Sequence, residues 1–247
     1  MAGLVLCAQD AGKTVEVNGI RMYYEVHGSG RPLVLLHGFG SSGTAWKRFV
    51  DDFSKDYRLI IPDLRGHGGS TNPSGDFTHR QSARDVFALL DSLGVRTFSA
   101  MGISTGGMTL LHMASTQRER VESMVLIGAT TYFPEQAREI MRRRTPEAMS
   151  AAEIERQHTI HKHGDEQIRS LRRQFNGFKD SYDDMAFTPP LLASITAKTL
   201  VVHGDRDDFF PVRSLSRCTA RFQIRTCGSY RMGATCRSAT MPKSSRD

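Results

Sequence analysis

Five short, mainly apolar runs constrain what this chain can fold into. Pro32 to Leu36, Tyr57 to Ile61, Thr97 to Gly102, Ser123 to Ile127 and Thr199 to Val202 are four to six residues long, and Pro32 to Leu36 is wholly apolar. A strand without polar alternation is buried on both faces, which is the mark of a parallel sheet covered by helices. Parallel neighbours need a crossover between them, and Trp46 to Phe53, Arg80 to Leu93 and Met108 to Ser115 have the helical patterning to supply it. The alternation predicts the α/β class, with a mostly parallel sheet carrying helices on both faces. Ahead of it, Thr14 to Val17 and Ile20 to His27 alternate apolar and polar residues around Asn18-Gly19, a two-residue hairpin signal.

Between 131 and 190 the strand signal vanishes and the segment becomes rich in Arg, Glu, Gln and Met. Ile140, Met141, Ile154, Ile168 and Leu171 have helix-compatible spacing, so two or three helices are expected there as an inserted cap, with a partly disordered linker as the alternative. The domain organisation that follows is a first core part over 1–130, a cap over 131–190, a second core part over 191–216 and an aberrant basic tail over 217–247.

Charge and cysteine both single out that tail. The 247 residues carry 33 Lys and Arg against 26 Asp and Glu, a net charge of +7. Residues 209–247 hold eight cations and one acid (Asp247), so the first 208 residues balance at 25 of each. The excess is therefore no property of the body, and a nucleic-acid partner is not expected from a tail with only Phe222 and Tyr230 available for stacking. Cys218, Cys227 and Cys236 crowd the same segment while Cys7 stands alone, a pattern that suits neither a disulfide framework nor a compact zinc motif. No apolar run approaches the roughly 20 residues of a membrane span, so no membrane partner is expected. Met1 to Ala8 is apolar but short and lacks a basic start, which suits a cytoplasmic protein, or an exported one if it is the remnant of a signal peptide.

The chemistry concentrates where the run ending at Met101 enters Gly102-Ile103-Ser104-Thr105-Gly106-Gly107 and then a helix. A G-x-S-x-G turn between strand and helix needs glycine on both sides of the serine for close backbone approach, and it lifts the Ser104 hydroxyl above the sheet. Upstream, Leu33 to Leu36 ends in His37-Gly38-Phe39-Gly40. Acyl transfer builds negative charge on a carbonyl oxygen, and the amides of Phe39 and Thr105 are the natural pair of donors for it. His37 is expected to hold the loop by hydrogen bonding.

With these motifs in view, the chain resembles the α/β-hydrolase superfamily, in particular its capped bacterial esterases, enol-lactonases and carbon–carbon hydrolases. The resemblance covers about residues 12–216 and rests on HGFG at 37–40, PDLRGHGGS at 62–70, GISTGG at 102–107 and VVHGDRDDFFPV at 201–212. It implies Ser104 as nucleophile and Asp207 as the acid of a catalytic triad, with Asp205 and Asp208 as rivals, and a structural role for the loop that carries His67. An acid at the elbow would have implied dehalogenase or epoxide hydrolase chemistry, and Ser104 argues against both. No cofactor or metal is implied. The His158, His161 and His163 cluster is expected to be a solvated polar helix face, because no carboxylate or Cys completes a ligand set nearby.

One part is missing. In this superfamily the order is Ser, Asp, His, yet the last of the nine histidines is His203 and none follows Asp207. The tail reads like translation in a wrong frame, arising from a one-base insertion or deletion near codons 213–218. One base earlier, the codons allowed for Cys218 to Ala220 permit MYR, those for Phe222 to Gly228 permit IPNSYLW, and those for Ser229 to Ser238 permit VVPNGGHVPI. The histidine would fall where Thr235 stands, 28 residues after Asp207. The expectation is a serine hydrolase of small carboxylic esters or lactones, acting through an acyl-enzyme and impaired in this chain. Its last strand and helix are expected to be missing. The alternative is a non-catalytic binding protein on a hydrolase scaffold.

Overall fold

The computed structural model describes residues 12–217 and 223–227, the backbone alone for 215–217 and 223–227. The expectations placed on Met1 to Ala8, on Cys218 and Cys236 and on the segment around Thr235 lie outside the described residues. The apolar runs form the strands of one sheet: β1 (Lys13–Val17), β2 (Ile20–His27), β3 (Arg31–Leu36), β4 (Tyr57–Pro62), β5 (Phe98–Ile103), β6 (Val121–Ile127), β7 (Lys198–Gly204) and β8 (Gln223–Cys227). Their spatial order is β1-β2-β4-β3-β5-β6-β7-β8. The pairs β1/β2 and β2/β4 are antiparallel, and every other pair is parallel. The hairpin pairs Val17 with Ile20 across Asn18-Gly19, whose φ values of 45° and 76° are those that an Asn-Gly turn adopts easily.

Successive residues of β3 divide between two cores, as the period of two demands. Leu33 and Leu35 pack with Trp46, Leu59 and Ile61 on one face, while Val34 and Leu36 join Ile60, Leu64 and the larger core on the other. Trp46 ends a 3₁₀ turn that leads into α1 (Lys47–Phe53). The larger core lies under α2 (His79–Ser92) and α3 (Thr105–Thr116). Between β6 and β7 the chain leaves the sheet to form α4 (Glu135–Arg143), α5 (Ala151–Ile160), α6 (Gly164–Gly177) and the short α7 (Pro189–Ala193). Met141, Ile168 and Leu171 are buried, in keeping with their helical spacing.

One expectation needs correction. The last strand is not lost: residues 223–227 pair in parallel with Leu200 to Gly204. A sheet edge presents a row of unpaired N–H and C=O groups, and a stretch with β-branched residues such as Gln-Ile-Arg-Thr-Cys can satisfy them through its backbone.

One buried ionic group closes the neck of the cap, and a second ties the cap to the core. Arg138 of α4 is 5% exposed and has no carboxylate partner among the described residues. Its Nε donates to the Phe133 carbonyl at 3.1 Å, Nη1 to those of Phe178 (3.3 Å) and Lys179 (2.6 Å), and Nη2 to that of Ser181 (2.9 Å). Tyr182 lies beneath the guanidinium at 3.9 Å, so one side chain joins the outgoing and the returning ends of the cap. Asp184 then accepts the His79 and Arg80 amides at the start of α2 and the His79 Nδ1–H at 2.7 Å. Burial alone would raise its carboxyl, but these partners hold it down at about 2.

Replacing Arg138 by Met should leave four carbonyls without their donor and cost about 2–4 kcal/mol. Hydrogen exchange should locate the loss in α4 to α6 while core amides keep their protection. A second expectation concerns acid. Burial holds His37, His112 and His161 down to about 4, and burial with His37 as neighbour keeps His67 well below its ordinary value. Unfolded histidines take up protons below about pH 6.5 whereas these do not, so stability should fall as pH drops from 6.5 towards 4. The slope should reach roughly 1.4 kcal/mol per histidine per pH unit, read as a falling urea midpoint between pH 7 and 5.

Candidate active site

Ser104 stands between β5 and α3 with φ 49° and ψ −112°, and among the described non-glycine residues only Asn18 shares its positive φ. Such backbone costs on the order of 1–3 kcal/mol and persists only where the surroundings enforce it. Here the enforcing contacts are legible atom by atom. A Cβ on Gly102 would lie 2.5 Å from the Gly106 carbonyl carbon, one on Gly106 2.4 Å from the Leu36 oxygen, and one on Gly107 2.7 Å from the Ala129 Cβ. The Ser104 N–H is held by the Ile127 oxygen at 2.7 Å. Strand, turn and helix thus close on one another with no room for a side chain except that of the serine. Thr105 opens α3, so its N–H belongs to the first turn, which has no acceptor within the helix.

The loop after β3 comes to the same point. A Cβ on Gly38 would sit 3.7 Å from the Ser104 Cβ. His37, fully buried, accepts the Leu64 N–H at Nε2 (2.9 Å), which leaves the proton on Nδ1 to be donated to the Gly38 carbonyl at 2.8 Å. The Gly38 C=O and the Phe39 N–H belong to one trans peptide plane and point in opposite directions. Holding the first therefore aims the second, and this is what a loop histidine of this kind does here. His67 is equally buried. Its Nδ1 donates to the Arg65 carbonyl at 2.9 Å and its ring meets Phe39 edge-on at 4.6 Å, so it supports the loop from behind.

Asp207 follows β7. Its Oδ1 accepts the Phe209 and Phe210 amides at 2.9 Å each, and the residue lines the same cavity as Ser104, Gly38 and Phe39. Asp205 and Asp208 are exposed and do not line it. His203 lies 3.6 Å from the Asp207 carboxylate but is fully buried, donates Nε2–H to the Phe210 carbonyl at 2.6 Å and stays outside the cavity wall. Ser104, Phe39, Thr105 and Asp207 are thus brought to one end of the sheet, and no histidine is among the described residues that line the cavity.

The cavity holds about 560 Å³. Ser104 and the Gly38 to Gly40 loop form its floor, Ile103, Ile127, Phe209 and Phe210 its walls, and the cap its roof through Met149, Gln157, Ile168, Leu171 and Phe175 together with Arg144, Glu153 and Arg172. The charged roof was invisible in the sequence. Arg172 and Glu153 lie 19 residues apart on different helices, and no local spacing announces their pairing at 3.0 Å.

The histidine cluster of the cap requires correction at one position, for His158 and His163 are exposed as a solvated face would be and His161 is not. His161 is 2% exposed and its Nδ1 accepts the Gly68 N–H at 2.9 Å; His163 Nε2 meets the Gly69 carbonyl at 3.1 Å. A carboxylate does lie close, since Asp165 pairs with His158 at 2.8 Å. With Lys162 N–H and Gln167 Nε2 each donating to the Gly68 carbonyl, the segment fastens the cap to the 66–69 loop. Among the described residues, no group of three or more His, Cys, Asp or Glu side chains is placed to hold a metal ion, and no helix is long and apolar enough to cross a membrane.

The same arrangement occurs in known proteins. The profile of a family described as alpha/beta hydrolase fold matches residues 31–154. A soluble epoxide hydrolase from Corynebacterium sp. (strain C12) is 37% identical over 111 residues, which is 45% of this chain and 39% of that protein. A 2-hydroxymuconate semialdehyde hydrolase from Pseudomonas sp. (strain CF600) is 28% identical over 251 aligned residues, covering 89% of this chain and 86% of that one. The crystal structure of the enol-lactonase from Burkholderia xenovorans LB400 superposes with a TM-score of 0.68 at 21% identity, covering 88% of this chain and 91% of that one. The eight-stranded order, the strained serine turn and a profile match over half its length agree, and the chain belongs to the alpha/beta hydrolase fold family.

Proposed function

We propose that the chain is a serine hydrolase of small carboxylic esters or lactones, built to work through an acyl-enzyme and impaired as it stands. The observation that carries the reading is a serine at φ 49° sharing one cavity with Asp207 and with the Gly38–Phe39 peptide. Ser104 Oγ attacks the substrate carbonyl carbon, and the amides of Phe39 and Thr105 hold the oxygen that becomes negative. The alkoxide or ring oxygen then leaves with a proton, and water hydrolyses the acyl-enzyme. Epoxide opening, the reaction named for one relative, is set aside because a hydroxyl and not a carboxylate stands at the elbow.

A serine hydroxyl needs a base to take its proton, and Asp207 can orient and charge-balance an imidazole but does not replace it. His203 precedes Asp207, and its Nε2–H is committed to the Phe210 carbonyl. The base belongs at position 235, where this chain has Thr235 and a neighbouring frame permits histidine. The absence of histidine from the described cavity lining supports that assignment and favours binding without turnover as the second reading.

A short-chain chromogenic ester decides between them. The chain as it stands should hydrolyse it at no more than about a thousandth of the rate of a version whose tail is rebuilt in the neighbouring frame, since triad members act as a unit. Ser104→Ala in the rebuilt version should abolish the gain. A rebuilt protein that folds and stays inactive would leave the binding scaffold as the reading.

A further inference from the structure

A second cavity, of about 420 Å³, lies between the 66–75 loop and α6, and the chemistry at Ser104 makes no use of it. Its lining is polar: Ser70, Thr71 and Asn72 of the loop face Gln167, Ser170 and Gln174 of the helix. Gln167 Nε2 donates to the Gly66 and Gly68 carbonyls at 2.9 and 3.0 Å, and Gln174 Nε2 to that of Gly75 at 2.8 Å. These bonds hold loop and helix at a fixed spacing. Gln174 Oε1, in contrast, is buried with no hydrogen-bond partner among the described residues, an acceptor that costs free energy until a donor reaches it.

Helix geometry relates this cleft to the cavity at Ser104. An α-helix turns about 100° per residue, so Gln167 and Gln174 project about 40–60° to one side of Leu171, and Ile168 and Phe175 as far to the other. The glutamines line the second cavity, Ile168 and Phe175 the first, and Leu171 between them lines both. Leu171 is buried, and its Cδ2 lies against Gly66, where an added Cβ would stand 3.7 Å away. With Gly66 held through its carbonyl by Gln167, the leucine has a fixed backbone behind it. One side chain therefore has the Ser104 cavity on one flank and a polar cleft on the other.

We infer that Leu171 sets the length of chain that the Ser104 cavity accepts, and that the cleft behind it is a polar annexe suited to the hydroxyl end of a longer ligand. The inference rests on the reading of the Ser104 cavity as the substrate site. An apolar chain lying along Ile168 and Phe175 gains from each methylene removed from water until it meets Leu171. Past that point a methylene gains little among glutamine, serine and asparagine side chains, whereas a hydroxyl brings the donor that Gln174 Oε1 lacks. Leu171 is then a specificity-determining residue, placed where an apolar site gives way to a polar one.

Binding tests this without turnover. The full chain is titrated by calorimetry with n-alkyl methyl ketones of rising chain length, which present a carbonyl and no leaving group. Affinity should rise about fourfold per methylene and then level off. Leu171→Ala should carry the rise on to longer chains, and Leu171→Val, a gentler truncation, should shift the limit the same way by less. Just beyond the native limit, exchanging the terminal methyl for a hydroxymethyl should tighten binding about fivefold in Leu171→Ala and give no gain in the native chain. Ile168→Ala removes as many carbons from a side chain that lines the first cavity alone, and should give no hydroxyl gain. A limit moved by neither Leu171 substitution in variants that melt cooperatively, a hydroxyl gain that Ile168→Ala reproduces, an affinity that never levels off in the native chain, or no measurable ketone binding would each overturn the inference. Ester hydrolysis by the rebuilt enzyme is a separate readout, since the levelling point needs no catalytic base: a chain that binds ketones in this pattern and never turns over keeps the inference and loses the proposed reaction.

Discussion

The crossing of three backbones at the elbow is the constraint on which the rest depends. Gly102, Gly106 and Gly107 let β5, α3 and the end of β3 approach to distances that no Cβ allows, and Ser104 is left as the one side chain at the crossing, held at positive φ. Strain of that kind is held in place by the sheet pairing on either side, β5 to β3 and β5 to β6, and by the Ser104 N–H on the Ile127 oxygen. The same crossing puts the Gly38 loop against the serine, so geometry for charge stabilisation comes with the fold and needs no separate device. His37 then only has to fix one peptide plane.

The cap is a separate problem with a separate solution. Its helices are polar on most of their surface, while Phe133, Ala137, Met141, Phe178 and Met185 join the main core on the inner side. Buried, directed polar contacts supply the rest: Arg138 across the neck, Asp184 on the start of α2, and the 161–167 segment on the 66–69 loop. Several of these are histidines kept neutral by burial, so an adhesion that is firm at neutral pH is the part of the molecule most exposed to acid.

Much of this was legible in the sequence, and the limits have physical causes. The strands could be read because burial on both faces removes polar residues from them, and the elbow because close approach admits only glycine. Asp207 could be placed by its turn, with Asp205 and Asp208 separable only once Oδ1 was seen on the two amides that follow. The burial of His161 was not legible because polar residues in a helical pattern look the same whether they face water or another loop's backbone. Glu153 and Arg172 pair across two helices, and no local pattern encodes a contact that depends on how the cap folds over. Gln223 to Cys227 forms a strand because an open edge accepts an extended, alternating stretch through backbone pairing alone.

Chemistry and recognition therefore come from different stretches of chain. Ser104, the Gly38–Phe39 peptide and Asp207 sit on core turns, whereas Arg144, Glu153 and Arg172 of the cavity lining come from the cap. A change confined to the segment after Val212 leaves untouched both the cap roof and the apolar walls contributed by Ile103 and Ile127. If the proposed base belongs to that segment, such a change costs kcat and leaves ligand affinity in place, because the described cavity lining lies elsewhere in the chain. In an enzyme whose base lay on the cap, the same change would have left both intact, and a change in the cap would have removed both together. The division of labour follows from where the helices were inserted in the sheet.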